Sequence, residues 1–142
     1  MEPWFKPLAY SIILLRKYGY PTVFYGDYYG IKGENPIEGQ AEILDKLISL
    51  RKDYAYGTQT DYLDHANCIG WTRAGDEDHP EGCAVVLSNS EEGYKEMSFG
   101  EDRAGEVFYD YLGHREDKVT LDENSVGIFP VNAGSVSVWV KK

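Results

Sequence analysis

From Tyr56 onward, short extended runs alternate with turn-forming residues, and this pattern predicts an all-β fold for the second part of the chain. The turn signals recur roughly every 8–12 residues, which is typical of an antiparallel sandwich or barrel. In the last run, Val136 and Val138 fall on one side, and Ser137 and Trp139 fall on the other. We predict seven or eight strands, at residues 61–63, Cys68–Arg73, Cys83–Ser88, 94–99, 106–109, 118–121, 127–130 and 135–140.

The first part of the chain has a different pattern, which predicts helix, strand and helix. Residues 8–15 are apolar almost all round, as in a buried helix. Residues 22–25 (Thr-Val-Phe-Tyr) lack polar alternation, which is typical of a parallel strand buried on both faces. A second helix is predicted from residue 37 or 40 to residue 52, with Ala41, Leu44, Leu47 and Ile48 on its apolar side. A single parallel strand has no neighbour to pair with, so this part is an incomplete α/β fragment.

Charge argues against two classes of partner. The chain has 14 Lys and Arg against 24 Asp and Glu, a formal net charge of −10. We therefore expect neither nucleic-acid binding nor docking on an anionic membrane, both of which need a cationic face. No apolar run approaches the roughly 20 residues of a membrane-spanning helix.

The two cysteines favour a reducing compartment. Cys68 and Cys83 are too few for the disulfide framework of a small secreted domain. In the predicted hairpin Cys68 lies opposite a residue near Ser88, several positions from Cys83, so a bridge is not expected. Free thiols agree with a cytoplasmic protein, which is our expectation.

Polar and aromatic residues offer few candidates for a site. The acidic clusters at residues 76–78, 91–92 and 101–102 fall in predicted turns, where we expect solvated carboxylates. His65, His79 and His114 are too far apart in sequence for zinc spacing, and no metal site is predicted. Aromatic rings suit sugar contacts, so a carbohydrate-binding module is an alternative function. Its stacking platforms would come from Trp71, Tyr94, Tyr111 and Trp139, unless these rings lie in the core or an interface.

Several segments resemble one enzyme family. Residues 19–27 (Gly-Tyr-Pro-Thr-Val-Phe-Tyr-Gly-Asp) resemble the motif around the eighth barrel strand of glycoside hydrolase family 13, the α-amylase family. Residues 2–10, 51–59, 61–65, 69–73 and 132–140 resemble further segments of bacterial liquefying α-amylases, in the same order. The resemblance implies that residues 1–55 end a catalytic (β/α)8 barrel. Residues 56–142 would then form the C-terminal domain, an antiparallel Greek-key β-sandwich.

The resemblance also implies what a parent enzyme would do. Family members hydrolyse internal α-1,4-glucosidic bonds of starch or glycogen with retention, which requires two carboxylates about 5–5.5 Å apart. Those carboxylates belong to motifs upstream of Glu2, so no catalytic residue is assigned and the chain alone is expected to be inactive. Asp27 ends the barrel strand, where it would face the active site, and is given either a structural role or a role in supporting the catalytic residues.

The resemblance implies a calcium site in secreted relatives, and here we expect it to be lost. The ligand positions between barrel and C-terminal domain fall at Ala66, Asn67 and Asn89. An alanine and two amides replace a histidine and two carboxylates, and calcium prefers carboxylate oxygens. We therefore expect no cofactor.

The incomplete barrel predicts association. A strand at residues 22–25 without parallel neighbours has two unpaired edges beside an apolar helix. We expect a homo-oligomer formed through residues 4–31. Alternatively, the helix at residues 37–52 folds back and shields the strand within one chain. A protein whose role is assembly through such a strand is a third class of function.

Overall fold

Eight antiparallel strands in two sheets dominate the computed structural model, which describes residues 3–17, 21–33, 36, 39–100 and 102–141. The larger sheet has the order β1-β2-β3-β8-β5-β6, and β4 pairs with β7 in a second sheet packed against it. The strands are β1 (Gln59–Tyr62), β2 (Cys68–Arg73), β3 (Cys83–Ser88), β4 (Gly93–Ser98), β5 (Val107–Asp110), β6 (Lys118–Thr120), β7 (Val126–Val131) and β8 (Val136–Lys141).

These strands confirm the predicted antiparallel sandwich. The bounds of β2 and β3 match the prediction, and the other strands shift by one or two residues. Cys68 pairs with Ser88, as the predicted hairpin required, and Cys83 pairs with Arg73. Neighbours distant in sequence, such as β3 and β8, are usual in Greek-key arrangements.

The six-stranded sheet buries side chains on both of its faces. One face packs on β4 and β7 and includes Val86 and Trp139, while the other includes Val85 and Val138 and packs on helices. Alternation along a strand places neighbouring residues on opposite faces. The core on the helical side joins the helices to the sheet through residues including Leu8, Leu15, Leu44, Leu47, Leu50, Trp71, Cys83, Leu87, Val136 and Val140.

In the part of the chain that the structure describes, three helices and a 3₁₀ turn precede the strands. After the 3₁₀ turn Pro3–Phe5 come α1 (Lys6–Leu15), α2 (Tyr25–Tyr29) and α3 (Ala41–Asp53). Both predicted helices are confirmed, but each leaves exposed some of the apolar side chains that were expected to be buried. Ile12 and Ile13 of α1 lie exposed, because only one side of α1 packs on α3 and the sheet. Ile48 of α3 is likewise exposed, and the buried stripe uses Leu50 instead.

The predicted strand at residues 22–25 is wrong. Residues 21–24 lie outside any sheet, and Tyr25 begins α2, with Phe24 as its N-cap. Phe24 is 53% exposed and Tyr25 71% exposed, so neither is buried on both faces. A parallel strand needs a ladder of hydrogen bonds from adjacent strands, and the described part of this chain places none beside this segment.

A group of apolar side chains around α1 and α2 remains exposed. Helix α3 packs on both α1 and α2, which agrees with the alternative that this helix folds back and shields residues 22–25 within one chain. Val23 is partly buried against the core. The shielding is incomplete, and association through residues 4–31 stays a prediction. The exposed side chains in this region are Trp4, Ile12, Ile13, Phe24, Tyr25, Tyr29 and Ile31.

The division of the chain at residues 55 and 56 also stays a prediction. The helices of the first part and the sheet of the second share one core. The carbonyl of Leu15, at the end of α1, accepts hydrogen bonds from Trp71 Nε1 and Arg73 Nη1, both at the sheet. In this chain the two parts therefore pack as one unit.

A buried carboxylate organises the turn after β5. Asp110 is only 4% exposed, and its two oxygens accept four backbone N–H groups. Oδ1 accepts from Leu112 and Val138, and Oδ2 accepts from His114 and Arg115, all at 3.0–3.2 Å. Burial raises the pKa of Asp110 above its ordinary value, although the backbone hydrogen bonds act in the opposite direction. This side chain ties the turn to β8.

Candidate binding groove

A groove of about 510 Å³ opens between the loop after β1 and the β3–β4 turn. Asp64, His65 and Asn67 line one side of it, and Glu91 and Glu92 line the other. Tyr94 and Lys95 of β4 complete the wall. The short connection from β3 to β4, which crosses from one sheet to the other, brings these polar side chains together although 31 residues separate Asp64 from Lys95.

An ion pair fixes one end of the groove. Lys95 Nζ lies 2.7 Å from Asp64 Oδ1, and Lys95 is buried while Asp64 is exposed. The hydrogen bond from Lys95 lowers the pKa of Asp64 below its ordinary value. On the other side, Ser88 Oγ donates to the carbonyl of Glu91, which holds the turn. The groove is therefore a polar site with a fixed cation in its wall.

Of the four predicted platform residues, Tyr94 alone has a largely exposed ring. It is 65% exposed at the edge of the groove. Trp71 and Trp139 are fully buried, so both lie in the core, as the alternative to sugar platforms expected. Trp71 lies under α1 and Trp139 lies between the sheets, because both faces of the larger sheet are covered. Tyr111 is partly buried against Tyr54, at 5.9 Å between ring centroids.

The implied calcium position borders this groove, and its residues do not fit a calcium ion. The N–H of Asn89 donates to the carbonyl of Asn67 at 3.2 Å, so the two amide residues are neighbours. Ala66 offers no side-chain ligand, and the nearby Asp64 carboxylate is already paired with Lys95. Across the described residues, no cluster of three or more His, Cys, Asp or Glu side chains could hold a metal. Calcium favours several carboxylate oxygens, which this position lacks.

Asp27 lies at a separate site, inside a network of hydrogen bonds. Lys6 Nζ lies 2.6 Å from Asp27 Oδ1, and Tyr10 Oη donates to Oδ2 at 2.6 Å. Tyr10 Oη in turn accepts the N–H of Phe24. Burial opposes ionisation of Asp27, but the bonds from Lys6 and Tyr10 prevail and lower its pKa. The structure thus places Asp27 as the anchor of α2 on α1.

Replacing Asp27 with asparagine should destabilise the chain in a pH-dependent way. We expect the free energy of unfolding to fall by about 2 kcal/mol at pH 7, because a charged hydrogen-bond acceptor is lost. A carboxylate with a lowered folded pKa stabilises above its unfolded pKa of about 3.9, and this contribution is lost as pH falls through the folded value. Urea unfolding of Asp27→Asn and the parent chain should therefore converge in acid. The exposed Asp78→Asn is the control, and a constant difference at all pH values would contradict the prediction.

The remaining polar candidates are surface features. Asp76, Glu77 and Asp78 are exposed, and Asp76 Oδ1 accepts the N–H groups of Asp78 and His79 within the turn. Glu91 and Glu92 are exposed at the groove, and Glu101 lies outside the described residues. Cys68 and Cys83 are unpaired, and burial raises the pKa of the Cys83 thiol to about 12.

Known proteins resemble this chain along its whole length. Residues 83–140 match the family model described as alpha-amylase C-terminal. The chain is 52% identical to an alpha-amylase of Geobacillus stearothermophilus and aligns over all of its own length and 26% of that relative. It is 46% identical to the cytoplasmic alpha-amylase of Escherichia coli (strain K12), over 99% of this chain and 30% of the relative. It therefore spans between a quarter and a third of these relatives.

Solved structures share the fold. A gamma-CGTase from alkalophilic Bacillus clarkii superposes with a TM-score of 0.67 at 19% identity, over 99% of this chain and 23% of that one. An alpha-amylase from Geobacillus thermoleovorans, solved with acarbose, gives 0.54 at 17% identity, over 73% of this chain and 24% of that one. Within the residues that the structure describes, no helix has the length and apolar character needed to cross a bilayer. By the matched domain, residues 83–140 belong to the alpha-amylase C-terminal family, and by its full-length sequence likeness the chain corresponds to the C-terminal part of α-amylases.

Proposed function

We propose that this chain is a non-catalytic, stabilising part of an α-amylase that hydrolyses internal α-1,4-glucosidic bonds of starch or glycogen with retention. One observation carries the proposal: α1 and α3 share one core with β2, β3 and β8, the central part of one face of the six-stranded sheet. In a complete enzyme these helices would belong to the catalytic barrel. The sheet would then fix the end of the barrel by burying apolar surface against it.

The proposal extends to the compartment and to the absence of a metal. The cytoplasm is supported by the unpaired Cys68 and Cys83 and by the relative described as cytoplasmic. Independence from calcium at the junction is supported by Asn67 and Asn89, whose neutral amides take the place of carboxylates.

Activity measurements test the proposal. The chain alone should release no chromophore from a chromogenic maltoheptaoside above the blank, because no residue matches a catalytic motif of the family. The experiment uses protein purified over two different columns, with a complete α-amylase as the positive control. Turnover that copurifies with the chain through both columns would contradict the proposal.

A second candidate function is binding of α-glucan without catalysis. It is favoured by the exposed ring of Tyr94 beside the polar groove, since sugars stack on exposed aromatic rings. Mobility in a native gel containing soluble starch separates the two functions. Retardation that is lost in Tyr94→Ala would favour binding, whereas equal mobility with and without starch would favour a purely stabilising role.

A further inference from the structure

Five of the 14 Lys and Arg side chains line one cavity of about 330 Å³, called here the basic cavity. It lies where α1, α3 and β2 end. Arg16 and Lys17 follow α1, Arg51 and Lys52 belong to the last turn of α3, and Arg73 ends β2. In a chain of net charge −10, this is a marked concentration of positive charge.

Two guanidinium groups that line this cavity donate to consecutive backbone carbonyls at the end of α1. Arg51 Nη1 donates to the carbonyl of Leu14 at 2.8 Å, and Arg73 Nη1 donates to the carbonyl of Leu15 at 3.2 Å. Arg73 Nε also donates to the carbonyl of Gly57. A guanidinium has five N–H donors, so these bonds leave donors on both groups. Arg73 is 6% exposed, and burial, with a smaller contribution from Arg51, lowers its pKa.

The positive charge of the basic cavity is only partly balanced. Arg16 pairs with Asp61 at 3.0 Å, but among the described residues Arg51, Lys52 and Arg73 form no ion pair with a carboxylate. The C-terminal ends of α1 and α3 contribute about half a negative charge each. Capping of α1 by Arg51 and Arg73 explains part of the arrangement. With Lys17 left aside, an excess of about two positive charges still remains.

We propose that the basic cavity binds a phosphate dianion, either free inorganic phosphate or the phosphate group of a sugar phosphate. Two adjacent guanidinium groups suit a tetrahedral oxyanion, because their N–H pairs match its oxygens in bidentate geometry. Lys52 adds an exposed ammonium group to the lining of the cavity. This site lies apart from the groove and goes beyond the proposed function.

Titration of the full chain with inorganic phosphate and with glucose 1-phosphate tests the proposal. Thermal unfolding and calorimetry are run at pH 7 against sodium chloride of equal ionic strength, which removes general screening. We expect a saturable rise in the melting temperature, since a ligand of the folded state stabilises it. Lys52→Gln should weaken binding about fivefold, because one unit charge close to the dianion is removed. The backbone carbonyl of Lys52 still accepts the hydroxyl of Tyr56, so this variant keeps its fold.

Lys32→Gln is the matched control, because the exposed Lys32 carries the same charge but does not line the cavity. It should bind phosphate as the parent chain does. Tighter binding of glucose 1-phosphate would identify a sugar phosphate as the ligand, and equal binding would identify the inorganic anion. Failure of both anions to stabilise beyond the chloride control would overturn the proposal, as would equal weakening by Lys32→Gln.

Discussion

Replacing Asp110 with alanine should lower the free energy of unfolding by about 4 kcal/mol or more. The change removes the acceptor for four backbone N–H groups: those of Leu112 and Val138 are in buried hydrogen bonds, and those of His114 and Arg115 are in partly buried ones. Each unsatisfied buried donor costs about 1–3 kcal/mol, and water entering the space left by the carboxylate recovers part of this. Urea unfolding followed by circular dichroism gives the value.

Two further variants serve as comparisons for Asp110→Ala. Asp110→Asn keeps the shape but one of its oxygens becomes an N–H donor, so we expect an intermediate cost. Asp122→Ala removes a carboxylate that accepts the N–H groups of Asn124 and Val126 in an exposed turn, where water replaces it. A cost for Asp110→Ala no larger than that for Asp122→Ala would show that the buried carboxylate does not hold the turn.

Truncating Trp71 should have a comparable effect for a different reason. Its ring is fully buried between the sheet and α1, and its Nε1 donates to the carbonyl of Leu15. Trp71→Ala should cost about 4 kcal/mol by opening a cavity, which lowers the melting temperature by about 10 °C or more. Trp71→Phe keeps most of the side-chain volume but loses the hydrogen bond. Its stability should therefore lie between those of the parent chain and Trp71→Ala.

The matched control is Tyr94→Ala, since Tyr94 is a large aromatic residue with a ring that is mostly in solvent. Removal of an exposed side chain should change stability by about 0.5 kcal/mol or less. Similar costs for Trp71→Ala and Tyr94→Ala would contradict the buried position of Trp71. The pair therefore separates core packing from a surface role for the aromatic residues.

The sandwich could be predicted because its signals are local. In β2 and β3, β-branched and apolar runs end at turn residues, and the hairpin between them fixes the register of Cys68 and Ser88. The helices were predictable from their apolar spacing, and α1 and α3 have the expected positions. Local patterns of this kind need no knowledge of distant residues.

Residues 22–25 show where local signals fail. Their apolar, β-branched pattern is that of a barrel strand, but a parallel strand depends on neighbours supplied by other parts of a chain. In the structure described, Asp27 is instead held by Lys6 and Tyr10, and residues from Tyr25 onward form α2. The pattern thus predicts the extended strand that these residues would form in a barrel. In this chain, other contacts give the segment a different conformation.

The candidate sites were less predictable, because they depend on tertiary structure. Whether Trp71 stacks on a sugar or lies in the core depends on α1 covering its face of the sheet, which no spacing reveals. The basic cavity combines Arg16, Arg51 and Arg73 from three separate segments, and no motif links them. The Asp64–Lys95 groove, in contrast to the basic cavity, is lined by several residues that the sequence singled out, including His65, Asn67 and Tyr94.

The central strand β3 has all six of its side chains buried, with Val85 facing the helices and Val86 facing the second sheet. Neither layer can detach without exposing one apolar side of this strand to water. Melting of the helical layer and of the β4–β7 layer is therefore thermodynamically coupled through a single element that both depend on. The amide hydrogens of β3 should exchange with solvent only when the whole chain unfolds, and the protein should lose its layers in one cooperative transition.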